Sequence, residues 1–140
     1  MEEQLISFET AKLAKEKGFN IECLNFYTKP NSKMFGIDEH GRSYSIQNSI
    51  KNKIYTIGNE VTLNFKNVLF APTQSLLQKW LRETHHLIIT IAYQYEHDST
   101  SYSYWIYKEN NSLPINQWVN DLNTYEEALE LGLQEALKLI

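Results

Sequence analysis

Cysteine is almost missing from this chain. Cys23 stands alone among 140 residues, which excludes an intrachain disulfide and a zinc-binding thiolate cluster. The five glycines are scattered, so neither a phosphate loop nor a dinucleotide fingerprint can be built from them, and no GxSxG elbow or HExxH pair occurs. Long apolar runs are also lacking. None approaches the roughly 20 residues a bilayer requires, and the opening Met1-Glu2-Glu3-Gln4 is acidic where a secretory signal would be basic. A cytoplasmic protein with no membrane partner is expected. Positive charge is scarce in the second half: residues 71–140 carry four Lys or Arg against nine Asp or Glu, whereas residues 1–70 carry nine against eight. With a net charge of −4, that balance argues against tracking a nucleic-acid backbone.

The few groups that could carry chemistry have simpler explanations. His85 and His86 are adjacent, so their side chains diverge and cannot share a metal as an i, i+4 pair would; a helix C-terminus that favours imidazolium accounts for them. Glu126, Glu127 and Glu130 lie at the start of a predicted helix, where capping and solubility account for them. No catalytic residue, metal or cofactor is expected.

Aromatic residues are abundant: nine Tyr, six Phe and three Trp, within a hydrophobic share of 42%. That is ample apolar area to offset the entropy of ordering, and the length suits one globular domain spanning 1–140. A first helix is predicted from the Ser7 N-cap to Lys17, ended by Gly18, with Ile6, Thr10, Leu13 and Ala14 inward. Pro72 and Thr73 open a second helix whose apolar arc is Leu76, Leu77, Trp80 and Leu81. Between them the pattern reads as strands at 21–27 and 68–70 and two hairpins, 33–37 with 42–46 and 53–57 with 61–65. Hairpins dominate and no βαβ alternation appears. The expected fold is α+β, about three helices packed on one face of a mainly antiparallel sheet.

Residues 87–96 and 101–108 flank a polar loop, His97 to Thr100, and form a third hairpin. Pairing Tyr95 with Tyr102 collects Ile89, Ile91, Tyr93, Tyr95, Tyr102, Tyr104 and Ile106 on one face; Thr90, Gln94, Ser103, Trp105 and Tyr107 take the other, with Trp118 on or near it. Amphipathic rings beside polar residues suit a contact surface. Trp105 and Tyr107, bordered by Gln94 and Ser103, are therefore the candidate binding residues. In the last helix Thr124 and Glu127 form a capping box, and Ala128, Gly132 and Ala136 recur every four residues along a stripe with Tyr125, Leu129, Leu133, Leu137 and Ile140. That small-residue groove predicts a close approach, either by the chain's own sheet or by a second copy.

Three segments, Ile6 to Phe19, Ala71 to Glu83 and Tyr125 to Ile140, resemble small proteins of unknown function encoded by phages and integrated elements of gut Bacteroidetes. The resemblance implies a phage or mobile-element context and supplies no activity or site residue. The function expected is a non-enzymatic interaction or accessory module that binds a protein partner or itself; the alternative is a small-molecule or nucleotide site built on the aromatic face.

Overall fold

A computed structural model describes residues 3–21, 23, 25–27, 35–36, 44–49, 52–57, 61–64, 69–96 and 98–140. Of residues 35–36, 44–49, 52–57, 61–64, 96 and 119–121 only the backbone is described. The fold is α+β, with helices α1 (Phe8–Glu16), α2 (Gln74–His85) and α3 (Tyr125–Lys138). Among the described residues nine strands run in chain order: β1 (Asn25–Tyr27), β2 (Phe35–Gly36), β3 (Tyr44–Ser49), β4 (Asn52–Ile57), β5 (Val61–Asn64), β6 (Leu69–Phe70), β7 (Leu87–Glu96), β8 (Ser99–Lys108) and β9 (Asn116–Leu122).

Each helix starts where its sequence says it should. Ser7, Thr73 and Thr124 hold extended backbone and accept from the N–H of Thr10, Leu76 and Glu127, so each hydroxyl satisfies an orphan donor of the first turn. Helix α1 ends as a Schellman motif. Gly18 takes φ +91°, its N–H donates to Lys15 O at 3.1 Å, and Phe19 N–H donates to Ala14 O at 2.9 Å; a Cβ would be strained at Gly18. The chain then turns Phe19 into the core, edge-on to Trp80 at 5.3 Å. Helix α2 ends on His86, itself left-handed at φ 58°.

The strands divide into three antiparallel sheets, ordered β2-β1-β6, β3-β4-β5 and β7-β8-β9, where one main sheet was expected. The predicted pairing of 33–37 with 42–46 is corrected: Phe35 and Gly36 pair with Phe26 and Asn25, while Tyr44–Ser49 pairs with Asn52–Ile57. The reason is local. Tyr44–Ser49 ends in the polar pair Asn48 and Ser49 and the next strand opens at Asn52, so this pairing closes a shorter loop than the expected one would. The hairpin of β4 and β5 is as expected, Ile57 opposite Val61, and its turn at 58–60 lies outside the described residues, as does the turn at 38–41.

The core lies between the β7-β8-β9 sheet and the helices. Leu77, Leu81, Ile106, Leu133 and Leu137 are fully buried, with Ile6 and Phe26 beside them. No described helix is long and apolar enough to cross a membrane.

Candidate interaction surface

The β7–β8 hairpin positions every ring in question, so its register comes first. Its turn is tighter than expected: Glu96 pairs with Ser99, Tyr93 with Tyr102, Ile91 with Tyr104 and Ile89 with Ile106. That is two residues from the predicted pairing of Tyr95 with Tyr102. Because side chains alternate with period two, a shift of two leaves both faces intact. Asp98 supplies the turn with φ 60°, a conformation Asp tolerates, and its carboxylate accepts from Tyr95 Oη at 3.0 Å.

Helix α3 covers one face, and only part of it. A strand of 10 residues spans about 33 Å, whereas a helix of 14 residues spans about 21 Å. The helix sits over Ile89, Tyr104 and Ile106, all buried, with Leu122 of β9 beside them. Tyr102 and Ile91 are half-buried at its margin. Past the margin Tyr93 and Tyr95, on the same face, remain 58% and 61% exposed; Tyr93 meets Tyr102 edge-on at 5.5 Å. That face therefore splits into a core root and an open aromatic end.

The opposite face carries Trp105 and Tyr107, both half-buried, with ring centroids 6.3 Å apart and planes 30° from parallel. Gln94 is half-buried and Thr90 and Gln117 exposed. Ser103 does not fit the rim assigned to it: it is fully buried, and among the described residues neither its Oγ nor Trp105 Nε1 has a hydrogen-bond partner. Trp118 is corrected as well. It pairs with Tyr104 and so lies on the α3 face, 54% exposed. Strand β9, which places it there, was not read from the sequence, since Asn116, Asn120, Asp121 and Asn123 dilute the strand signal.

The small-residue stripe of α3 is consumed within the chain. Ala128, Gly132 and Ala136 are buried, and a Cβ at Gly132 would stand 3.0 Å from Ile89 Cγ2 and 3.3 Å from Tyr104 Cβ and Cγ. A self-association groove there is contradicted: the sheet already fills it.

A polar cluster joins the three helices and corrects the reading of Glu130, which capping and solubility were expected to explain: it is half-buried and bonded to the other two helices. Glu130 Oε1 accepts from Ser7 N at 2.8 Å and from the Thr10 hydroxyl; its Oε2 accepts from Gln74 Nε2 at 2.9 Å. Gln74 Nε2 also donates to Glu126 O at 3.0 Å, and Gln134 Nε2 donates to Thr10 Oγ1 at 2.9 Å. Burial, with the Glu130 charge second, raises the pKa of the nearby Tyr27, whose hydroxyl donates to Ile6 O at 2.9 Å. Every partner here is matched, which suits a fixed helix junction. Two open clefts of about 370 and 390 Å³ flank the junction and share Gln4 and Glu126; neither is lined by Trp105 or Tyr107. His85 stacks edge-on against Trp80 at 4.6 Å while His86 Nδ1 lies 2.6 Å from Glu109 Oε2, so the two histidines face different partners.

Compared with known proteins, the chain matches no family model, no curated protein and no solved structure.

Proposed function

We propose that the protein is a non-enzymatic interaction module, of phage or mobile-element origin, that binds a protein partner or a second copy of itself through the β7–β8 hairpin. The observation that carries the reading is the pair Tyr93 and Tyr95, more than half exposed on a hairpin that outruns its covering helix. Large rings left open side by side are characteristic of contact surfaces, because a tyrosine buries much area at little entropic cost. Trp105 and Tyr107 extend the aromatic character to the other face of the same hairpin. The test is capture from lysate on immobilised wild-type protein, set against Tyr93→Ser/Tyr95→Ser and Trp105→Ser/Tyr107→Ser variants. Capture by wild type that is lost in either variant, with melting unchanged, supports the reading; a capture profile identical across all three overturns it.

The alternative of a small ligand in an aromatic pocket has less support. The clefts at the helix junction are walled by Glu3, Glu126, Glu127 and Glu130, a lining that repels nucleotide phosphates.

A further inference from the structure

The direction of the backbone along β7 can be read from three hydrogen bonds. Glu109 N donates to His86 O at 2.8 Å, so position 86 turns toward β8. Ile115 N donates to Ile106 O at 2.7 Å, so Ile106 turns toward β9, and its partner Ile89 must turn away from β8. Gln78 Nε2 of α2 indeed donates to Ile89 O at 2.9 Å. By alternation the N–H and C=O groups of Ile91, Tyr93 and Tyr95 also point outward, beyond the part of the edge that Gln78 caps. Among the described residues β7 pairs only with β8, which leaves this row open.

Open edges are ordinarily blunted by charge, proline or a bulge. From Leu87 to Tyr95 there is none: the segment Leu87-Ile88-Ile89-Thr90-Ile91-Ala92-Tyr93-Gln94-Tyr95 has no charged residue, Pro or Gly and pairs with β8 without a break. The other edge strand, β9, holds Asp121, and the β8–β9 register is interrupted between Tyr102 and Tyr104. In a chain of net charge −4, the uncharged stretch is where two copies can approach without repulsion.

We infer that the β7 edge over Ile91, Tyr93 and Tyr95 pairs antiparallel with the same edge of a second copy about a two-fold axis at Tyr93, an inference that rests on the interaction reading above. Tyr93 is the midpoint of the open row, so only an axis there engages all three residues. It sets Ile91 opposite Tyr95 of the second copy, Ala92 opposite Gln94, and Tyr93 opposite itself. No like charges meet, a small side chain faces a long one, and the exposed rings of both copies join on one face. The interface is isologous and therefore closes at two copies.

Sedimentation velocity of the full chain over a concentration series tests this directly. Wild type is expected to dimerise, and Tyr93→Lys, which opposes two ammonium groups at the axis, to raise the dissociation constant at least about tenfold with an unchanged melting curve. A second variant keeps the test decisive if Tyr93→Lys fails to fold. Residues at such an axis stand about 5.5 Å apart, within disulfide range, so Tyr93→Cys in a Cys23→Ser background should cross-link under mild oxidation while Thr90→Cys does not. A monomer at all concentrations, or a dimer indifferent to Tyr93→Lys, overturns the inference. If such a monomer still captures a host protein through the hairpin, the edge pairing alone fails; if it captures nothing, the interaction reading fails with it.

Discussion

Replacing Gly132 by alanine tests the contact on which the domain closes. In an open helix the change should stabilise by about 1 kcal/mol, the difference in helix propensity. Here the added methyl would lie 3.0 Å from Ile89 Cγ2 and 3.3 Å from two carbons of Tyr104, inside the 3.5–4.0 Å at which carbons attract. Neither neighbour yields easily. Ile89 Cγ2 sits on the first branch of a β-branched side chain, stiff at χ1, and Tyr104 Cβ moves only with its strand. Overpacking of that kind costs about 1–3 kcal/mol, which outweighs the propensity gain and leaves Gly132→Ala net destabilised by about 1 kcal/mol. Denaturant unfolding followed by far-UV circular dichroism measures it, and the slope should be unchanged. A companion cycle isolates the Ile89 contact: Ile89→Ala alone should cost about 2–5 kcal/mol, and the penalty of Gly132→Ala should shrink in that background, with the contacts to Tyr104 remaining. If Gly132→Ala is instead stabilised in the wild-type background, the helix does not approach the sheet this closely, and the stripe of Ala128, Gly132 and Ala136 would again be open to a second copy.

The remaining predictions concern the helix junction, the aromatic core and the thiol. Glu130→Ala removes the acceptor shared by Ser7, Thr10 and Gln74 and should cost about 2–4 kcal/mol by leaving part-buried donors unmatched; a loss below about 0.5 kcal/mol in urea titration would show the cluster to be ornamental. Trp80→Ala, which empties the space between Phe19 and His85, should cost about 3–5 kcal/mol, and an unchanged melting temperature would refute the placement of α2. Burial pushes the Cys23 thiol up to about 11 from 9.0. Its neutral form is favoured by folding, so the stability it contributes is complete below pH 9.0 and is lost as pH rises through about 11. At pH 8 iodoacetamide should therefore alkylate the native chain up to about 100-fold more slowly than the urea-unfolded chain, and equal rates would contradict a half-buried thiol with a raised pKa.

Local chemistry made the helices legible. The hydroxyls of Ser7, Thr73 and Thr124 and the glycine at 18 act on neighbours within a few residues, and those caps form as the sequence indicates. The inward arcs were nearly right: Leu76 is only half-buried, and Gln74, polar and therefore passed over, is buried because Glu130 and the Glu126 carbonyl receive its amide. A buried polar residue is visible only once its partners are placed, and these lie more than 50 positions away. Pairing partners were harder for the same reason. The hairpins at 53–65 and 87–108 join neighbours in sequence, but β2 finds β1 rather than β3, a choice that no period or propensity encodes. For the candidate surface, the partition of the hairpin into two faces was legible. The depth of Ser103, the side taken by Trp118 and the closure of the Gly132 stripe were not, because each depends on what another element covers.

Tyr93, Tyr95 and Tyr104 show why the last of these cannot be read from composition. They are the same residue type, on the same face of the same hairpin, in phase with Ile89 and Ile106. Their alternation dictates a shared side; their fates differ because α3 is shorter than the strands it crosses. Gly132 brings the helix down on the row of Ile89 and Tyr104, so Tyr104 is buried, and burial, followed by the charge of Glu135, raises its pKa. Two rows farther on, Tyr93 and Tyr95 have no helix above them. A hairpin built only to complete the core would have no need to run past it, nor to carry rings where serine or threonine would serve as well. Strand β8 uses such residues at its own outer end, Ser99, Thr100 and Ser101. The contrast at one tip between the polar end of the central strand β8 and the aromatic end of the edge strand β7 supports the contact proposed above, and on that proposal Tyr93→Thr/Tyr95→Thr folds normally, changes stability by no more than about 0.5 kcal/mol, and loses the partner.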